Sequence, residues 1–313
     1  MMYLLTLNPA QLAKALPGNV AQGLIWGIMA VGLYMTFRLL NFADLTVDGS
    51  FATGGAVAVV LITSGVPAPV ALVVAFAAGL VAGLITGLLH TLMGIPAILA
   101  GILTQISLYS INLRIMGGKA NLAVSVDKYF LIVSLRQINR SIIVGLVLAF
   151  VFITVLYWFF GTELGCSIRA TGSNPNMSRA QGINTNKNTV LTLMLSNGFV
   201  ALAGGLMAQY QGFSDINMGR GSIVIGLAAI IIGEVLGEAT LGKRLNFYWR
   251  LVFVAIGGII YYVIVGVVLW LKMPSNDLKM FTAIIVAVFL AVPYLRAKSR
   301  NSYAKAAKQG GAR

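Results

Sequence analysis

Charge is scarce in this chain: 10% of its residues are Asp, Glu, Lys or Arg, where a soluble domain carries about 25%. Cysteine occurs once, at Cys166, so no internal disulfide can form, and the lone histidine, His90, leaves no clustered His/Cys set for a metal. The eight carboxylates are scattered, so no Ser-His-Asp set or paired-carboxylate site is apparent and an enzyme is disfavoured. A phosphate-binding loop is missing too. "GEATLGKR" (Gly237 to Arg244) matches the glycine spacing but puts Arg244 where a magnesium-binding hydroxyl belongs, and it follows an apolar helix rather than a strand. ATP, if used, must bind another chain, and no cofactor is expected. The opening "MMYLLTLNPAQLAKALPGN" lacks a basic region followed by an apolar core and a small-residue cleavage site, so no cleaved signal peptide is expected. The net charge of +14 is not interleaved with aromatics, which argues for membrane orientation over a nucleic-acid partner.

Apolar surface is what the chain has in quantity. Hydrophobic residues make up 58% and mean hydropathy is +0.90, the composition of an all-α integral membrane protein embedded in a lipid bilayer. A spanning helix needs about 20 apolar residues, and the runs predict a polytopic bundle of about nine spans. These lie near Val20–Phe37, Ser50–Thr63, Ala68–His90, Ala97–Asn112, Ser141–Phe160, Val190–Tyr210, Ser222–Val235, Leu251–Leu271 and Phe281–Leu295. The second and seventh are short and follow the polar segments "NFADLTVDGS" and "SDINMGRGS", so both read as broken or re-entrant. "DGSFATGGA" (Asp48 to Ala56) and "RGSIVIGLA" (Arg220 to Ala228) share Gly, Ser, Gly and Ala in register. Paired glycine-interrupted segments of opposite direction make a candidate inverted repeat and point to a solute path. Gly79, Gly83 and Gly87 fall on one helix face; close packing inside the bundle explains them better than a dedicated dimer interface.

Cytoplasmic loops retain Lys and Arg. Three basic regions agree on one side: Arg169, Arg179 and Lys187; Lys243, Arg244 and Arg250; and a tail with Arg296, Lys298, Arg300, Lys305, Lys308 and Arg313. Nine spans then place the N-terminus outside and the C-terminus in the cytoplasm. Arg114, Lys119, Lys128, Arg136 and Arg140 oppose this assignment.

Polar side chains inside spans are costly and mark a path or buried glue. Asp44, Asp48, Ser50, Gln105, Asn112, Asn197 and Gln209 are the path candidates. Thr104 and Ser196 fit interhelical hydrogen bonding better, and Ser107 belongs to the same polar set.

The stretch "LGCSIRATGSNPNMSRAQGINTNKN" (Leu164 to Asn188) is polar where its surroundings are apolar. Asn174 reads as a helix cap, Pro175 as a first helical residue and Gly182 as a stop after Gln181. A preceding short helix is predicted from about Leu164 to Thr171, stopping at Gly172. Helices this short are marginal alone and need something to dock on. The exposed face would offer Arg169, Asn176, Met177, Arg179 and Gln181 to a protein partner.

"LGCSIRATGSNPNMSRAQGIN" resembles the coupling segment of permeases of ABC importers in the branched-chain amino acid and ribose permease family, through Leu164, Gly165, Ala170, Gly172, Asn174, Gly182, Ile183 and Asn184. "FADLTVDGS" echoes a second family segment at Asp44, Leu45, Val47, Gly49 and Ser50, with Asp48 an added charge. "LAAIIIGEVLG" looks like a third, with Glu234 replacing a glycine. The resemblance spans about Val20 to Leu295, without the extra first helix of ribose-type members.

It implies one permease domain over 1–313: an N-terminal segment 1–19, a first half 20–160, a coupling segment 161–189, a second half 190–295 and a basic tail 296–313. It further implies a bacterial plasma-membrane importer in which two permease chains, here a homodimer, form the path. An ATP-binding cassette ATPase pair would dock on Arg169 and Asn174 to Gln181, and an extracytoplasmic solute-binding protein would deliver the solute. "NFADLTVDGSFATGGA" and "AAIIIGEVLGE" look most like the aromatic amino acid branch, tryptophan or tyrosine. The rival is a gradient-driven secondary transporter with Asp44, Asp48 or Glu234 as its coupling site.

Overall fold

A computed structural model describes residues 9–271 together with 280, 283, 284, 287, 288 and 291. Apart from those isolated positions, the predicted span Phe281–Leu295 lies outside the described residues, as does the basic tail 296–313.

Ten α-helices and a two-stranded ribbon make up the described chain. The helix α1 (Pro9–Tyr34) continues through a π turn (Met35–Leu39); then come α2 (Val47–Thr63), α3 (Ala68–Thr91) and α4 (Ala97–Ile115). After β1 (Asn121–Ala123) follow α5 (Ile138–Gly161), the short α6 (Glu163–Ser173) and α7 (Pro175–Ala180), and the long α8 (Thr185–Gln211). The strand β2 (Phe213–Asp215), α9 (Ser222–Leu241), a 3-10 turn (Gly242–Arg244) and α10 (Phe247–Trp270) complete it. Seven of these helices are long and apolar enough to cross a membrane, and α2 is a shorter apolar helix. The protein is an all-α polytopic membrane protein.

Prolines and glycines divide the apolar runs. Pro67 and Pro96 start α3 and α4 from extended backbone, and Gly212 ends α8 in the left-handed conformation. At the centre, α8 meets α1, α2 and α3. The Gly79, Gly83 and Gly87 stripe lies against the backbone of α8 at Asn197, Leu193 and Val190, where added Cβ atoms would collide. The stripe therefore serves packing within the chain. Outward faces of α3, α4 and α5 carry Val73, Ile98, Phe150 and Trp158, all exposed, as a surface solvated by lipid requires.

Two ends can be told apart. At one, β1 pairs antiparallel with β2 and the Tyr129 hydroxyl donates to Thr63 O at the close of α2. At the other stand α6 and α7, with Phe160 and Phe247 stacked edge to face 5.5 Å apart. Of the two segments read from the sequence as broken, α2 is short, whereas α9, with 20 residues, is long enough to cross because its helix continues past Val235 to Leu241. From β2 the chain turns back along α2, with Met218 against Gly55 and Gly219 against Asp48, before α9 begins. Hence α2 and α9 run in opposite directions from their meeting point.

Candidate functional site

The short helices α6 and α7 form where the caps place them, with one correction. Thr162 caps α6 by accepting from Gly165 N, and the Asn174 side chain caps α7 by accepting from Met177 N at 3.0 Å. Gly182 has φ +80° just beyond α7. Helix α6 does not stop at Gly172, as the sequence suggests, but runs to Ser173. The break belongs to Pro175, which holds Asn174 extended at φ −153°, ψ 96°. Gly172 serves contact instead, since a Cβ there would run into Leu39 O. Thus α6 sits directly on the end of α1. Arg169, Asn174, Pro175, Asn176, Met177, Arg179 and Gln181 are all exposed, Met177 at 58%. Two of them also have internal partners: Arg179 donates to Thr185 Oγ1 at 2.9 Å, and Arg169 lies over the Phe247 ring, 5.9 Å from its centroid.

The predicted path residues divide into two groups. Asp44 (1% exposed) accepts from Thr46 N at 2.9 Å and from Asn197 Nδ2 at 2.7 Å, while Asn197 Oδ1 accepts from the Ser50 hydroxyl at 2.7 Å. Beside them the hydroxyls of Thr46, Thr86 and Thr104 form a chain of 2.7 and 2.9 Å contacts. This is interior glue joining α2, α3, α4 and α8. Gln209 is also buried and accepts from Ile132 N at 3.0 Å. Ser196 donates to Gly32 O at 2.9 Å, and Ser107, exposed, donates to its own helix at Leu103 O.

Asp48, Gln105 and Asn112 instead line a cavity of about 310 Å³ between α4 and the segment descending to α9, with Tyr109, Asn217 and Arg220. Asp48 also holds α9. Its carboxylate accepts from Gly221 N, the Ser222 hydroxyl and Ile223 N at 2.9, 2.8 and 2.9 Å, capping the first turn of a helix 173 residues away. An anion at a helix N-terminus meets unpaired amides and the positive end of the dipole.

Sequence reasoning missed two arginines. Glu234, 8% exposed, accepts from Arg38 Nε at 2.7 Å and Nη2 at 2.6 Å along one edge of the guanidinium, tying the π turn to α9. A single Arg at a span end reads as snorkelling, so nothing singled out Arg38. Arg220 had a signal: it occupies the register position of Asp48 in the matched broken segments.

A membrane-spanning bundle with polar groups at its centre and two capped helices projecting from one end has the build of a transport permease. The family described as "Branched-chain amino acid transport system / permease component" matches residues 18–293. A "Tyrosine transport system permease protein" of Clostridioides difficile (strain R20291) is 40% identical over 288 residues, 91% of this chain and 94% of the relative. An uncharacterized protein of Rickettsia prowazekii (strain Madrid E) is 33% identical over 272 residues, 86% of this chain and 94% of that one. No solved structure matches. The chain belongs to the branched-chain amino acid transport system permease family.

Proposed function

We propose that this chain is the permease subunit of an ATP-binding cassette importer that carries an aromatic amino acid, tyrosine or tryptophan, into the bacterial cytoplasm. The observation that carries this reading is the α6–α7 pair: doubly capped, exposed along Asn174 to Gln181 apart from the buried Ser178, and seated on the end of α1 at Gly172 and Leu39. An ATPase pair docked there would push a short rigid element against a spanning helix and tilt the bundle between outward-open and inward-open states. The relative described as a tyrosine permease supports the solute class. In this reading two copies form the path, a solute-binding protein feeds the end that carries β1 and β2, and α6, α7 and the C-terminus face the cytoplasm of a plasma membrane. Segment 161–189 is the coupling unit between the halves 20–160 and 190–295.

A gradient-driven carrier is less well supported, because Asp44, Asp48 and Glu234 are each already engaged by structural donors. Replacing Asn174 to Gln181 with a glycine-serine linker tests the proposal. Loss of uptake and of ATPase co-purification is expected. Intact uptake, or uptake that stops when the proton gradient collapses while ATP remains, would overturn it.

A further inference from the structure

The cavity beside α4 contains more unmatched polar chemistry than packing explains. Arg220 is exposed on its wall and forms no ion pair among the described residues, whose two salt bridges are Arg38–Glu234 and Arg136–Asp127. Asn112 is 1% exposed, and both its amide nitrogen and its amide oxygen lack a hydrogen-bond partner. An amide buried with donor and acceptor both unmet is costly. Lining the same cavity as the Arg220 guanidinium, such a group suits a ligand that is both anion and cation. Asp48 supplies the balancing negative charge. Its three bonds to α9 leave part of the roughly four-site acceptor capacity of a carboxylate unused. Apolar wall comes from Ile106, Ile216 and the Tyr109 ring, and about 310 Å³ is room for one aromatic amino acid.

We infer that this cavity is the subsite for the α-amino acid group of the solute. Arg220 binds the carboxylate. The Asn112 amide bridges the zwitterion, its N–H donating to the carboxylate and its oxygen accepting from the ammonium, and the solute's side chain lies along Tyr109. This assignment rests on the reading of the chain as an amino acid permease and adds the groups that would select the solute.

The test uses the full chain with its ATPase and binding protein in proteoliposomes. Uptake of each of the twenty L-amino acids identifies the transported probe, and its KM is then measured for Arg220→Gln, Arg220→Lys and Asn112→Leu. A charge-assisted hydrogen bond lost from a binding site raises KM about tenfold or more; that rise is expected for R220Q and N112L, with partial recovery in R220K. The amine made by decarboxylating the probe should compete poorly with wild type and lose that disadvantage in R220Q. Should R220Q fail to assemble, Ser110→Trp, at an exposed cavity position, blocks the same space and gives the same loss. Values of KM within about twofold of wild type in N112L and in R220Q or S110W would overturn the subsite, as would uptake of no amino acid. The linker variant of α7 runs alongside. If it abolishes uptake while R220Q keeps the wild-type KM, the subsite alone falls. If it transports normally, the ATPase-coupling reading falls, and the KM series still judges the subsite.

Discussion

The two polar regions of this protein are built on opposite plans. In α6 and α7 each side-chain cap lies within three residues of the amide it satisfies, one face is exposed, and the other buries Ile168, Thr171 and Ser178. Around Asp44 and Asp48 the partners are far apart in sequence, Asp44 with Asn197 and Asp48 with the start of α9, and the atoms are buried or nearly so. The first region is tied to α8 through few polar contacts, chiefly Asn188 Nδ2 donating to the Ser167 and Thr171 hydroxyls. The second cannot separate without stranding a carboxylate away from water, so it fixes which helices travel together.

The largest effect expected from breaking this contrast is at Asp48. Asp48→Ala removes three acceptor contacts and the counter-charge from the first turn of α9, a loss of about 3 kcal/mol. It should appear as a large fall in detergent melting temperature, with Asp48→Asn intermediate; a wild-type melting curve would show that α9 is held by something else. Next comes Asn197→Ala, which leaves Asp44 with Thr46 alone and removes the acceptor of the Ser50 hydroxyl, and should lower stability by about 2 kcal/mol in the same assay. Glu234→Gln leaves its shape but weakens the pair with Arg38. About 1 kcal/mol is expected, because the arginine is half exposed, and high salt should reduce the difference between variant and wild type. Smallest in global effect is Asn174→Ala, worth about 1 kcal/mol of local helix stability. Hydrogen exchange should speed up at Met177 and its neighbours while the melting temperature stays put. A global shift from N174A would erase the distinction between the two regions.

Legibility in the sequence follows the same division. Apolar runs, the α7 cap and Pro175 act over a few residues, so the spans and the short helices were readable, and the added turns at each end were the main adjustment. The end of α6 was misread because a glycine needed for contact with Leu39 resembles a glycine needed for a stop. Asp44, Asp48, Asn112 and Glu234 were conspicuous as polar groups in apolar surroundings, yet their partners depend on how distant helices pack. No local pattern assigns Asp48 to Ser222, or Glu234 to Arg38, and none reveals that Asn112 is left unmatched while Asn197 is fully engaged.

Chain is stored at the C-terminal end of α1. Over Met35–Leu39 the amides reach back five residues rather than four, as in Leu40 N to Met35 O at 3.1 Å, so one residue more than an α-helix needs is held within the same rise. Because Gly172 rests on Leu39, any displacement of α6 would meet the π turn that ends α1, where the ladder can slip between two spacings. Such a slip would rotate Arg38 and whatever it grips, while the apolar length above it, bedded against α8 and α10, keeps its phase.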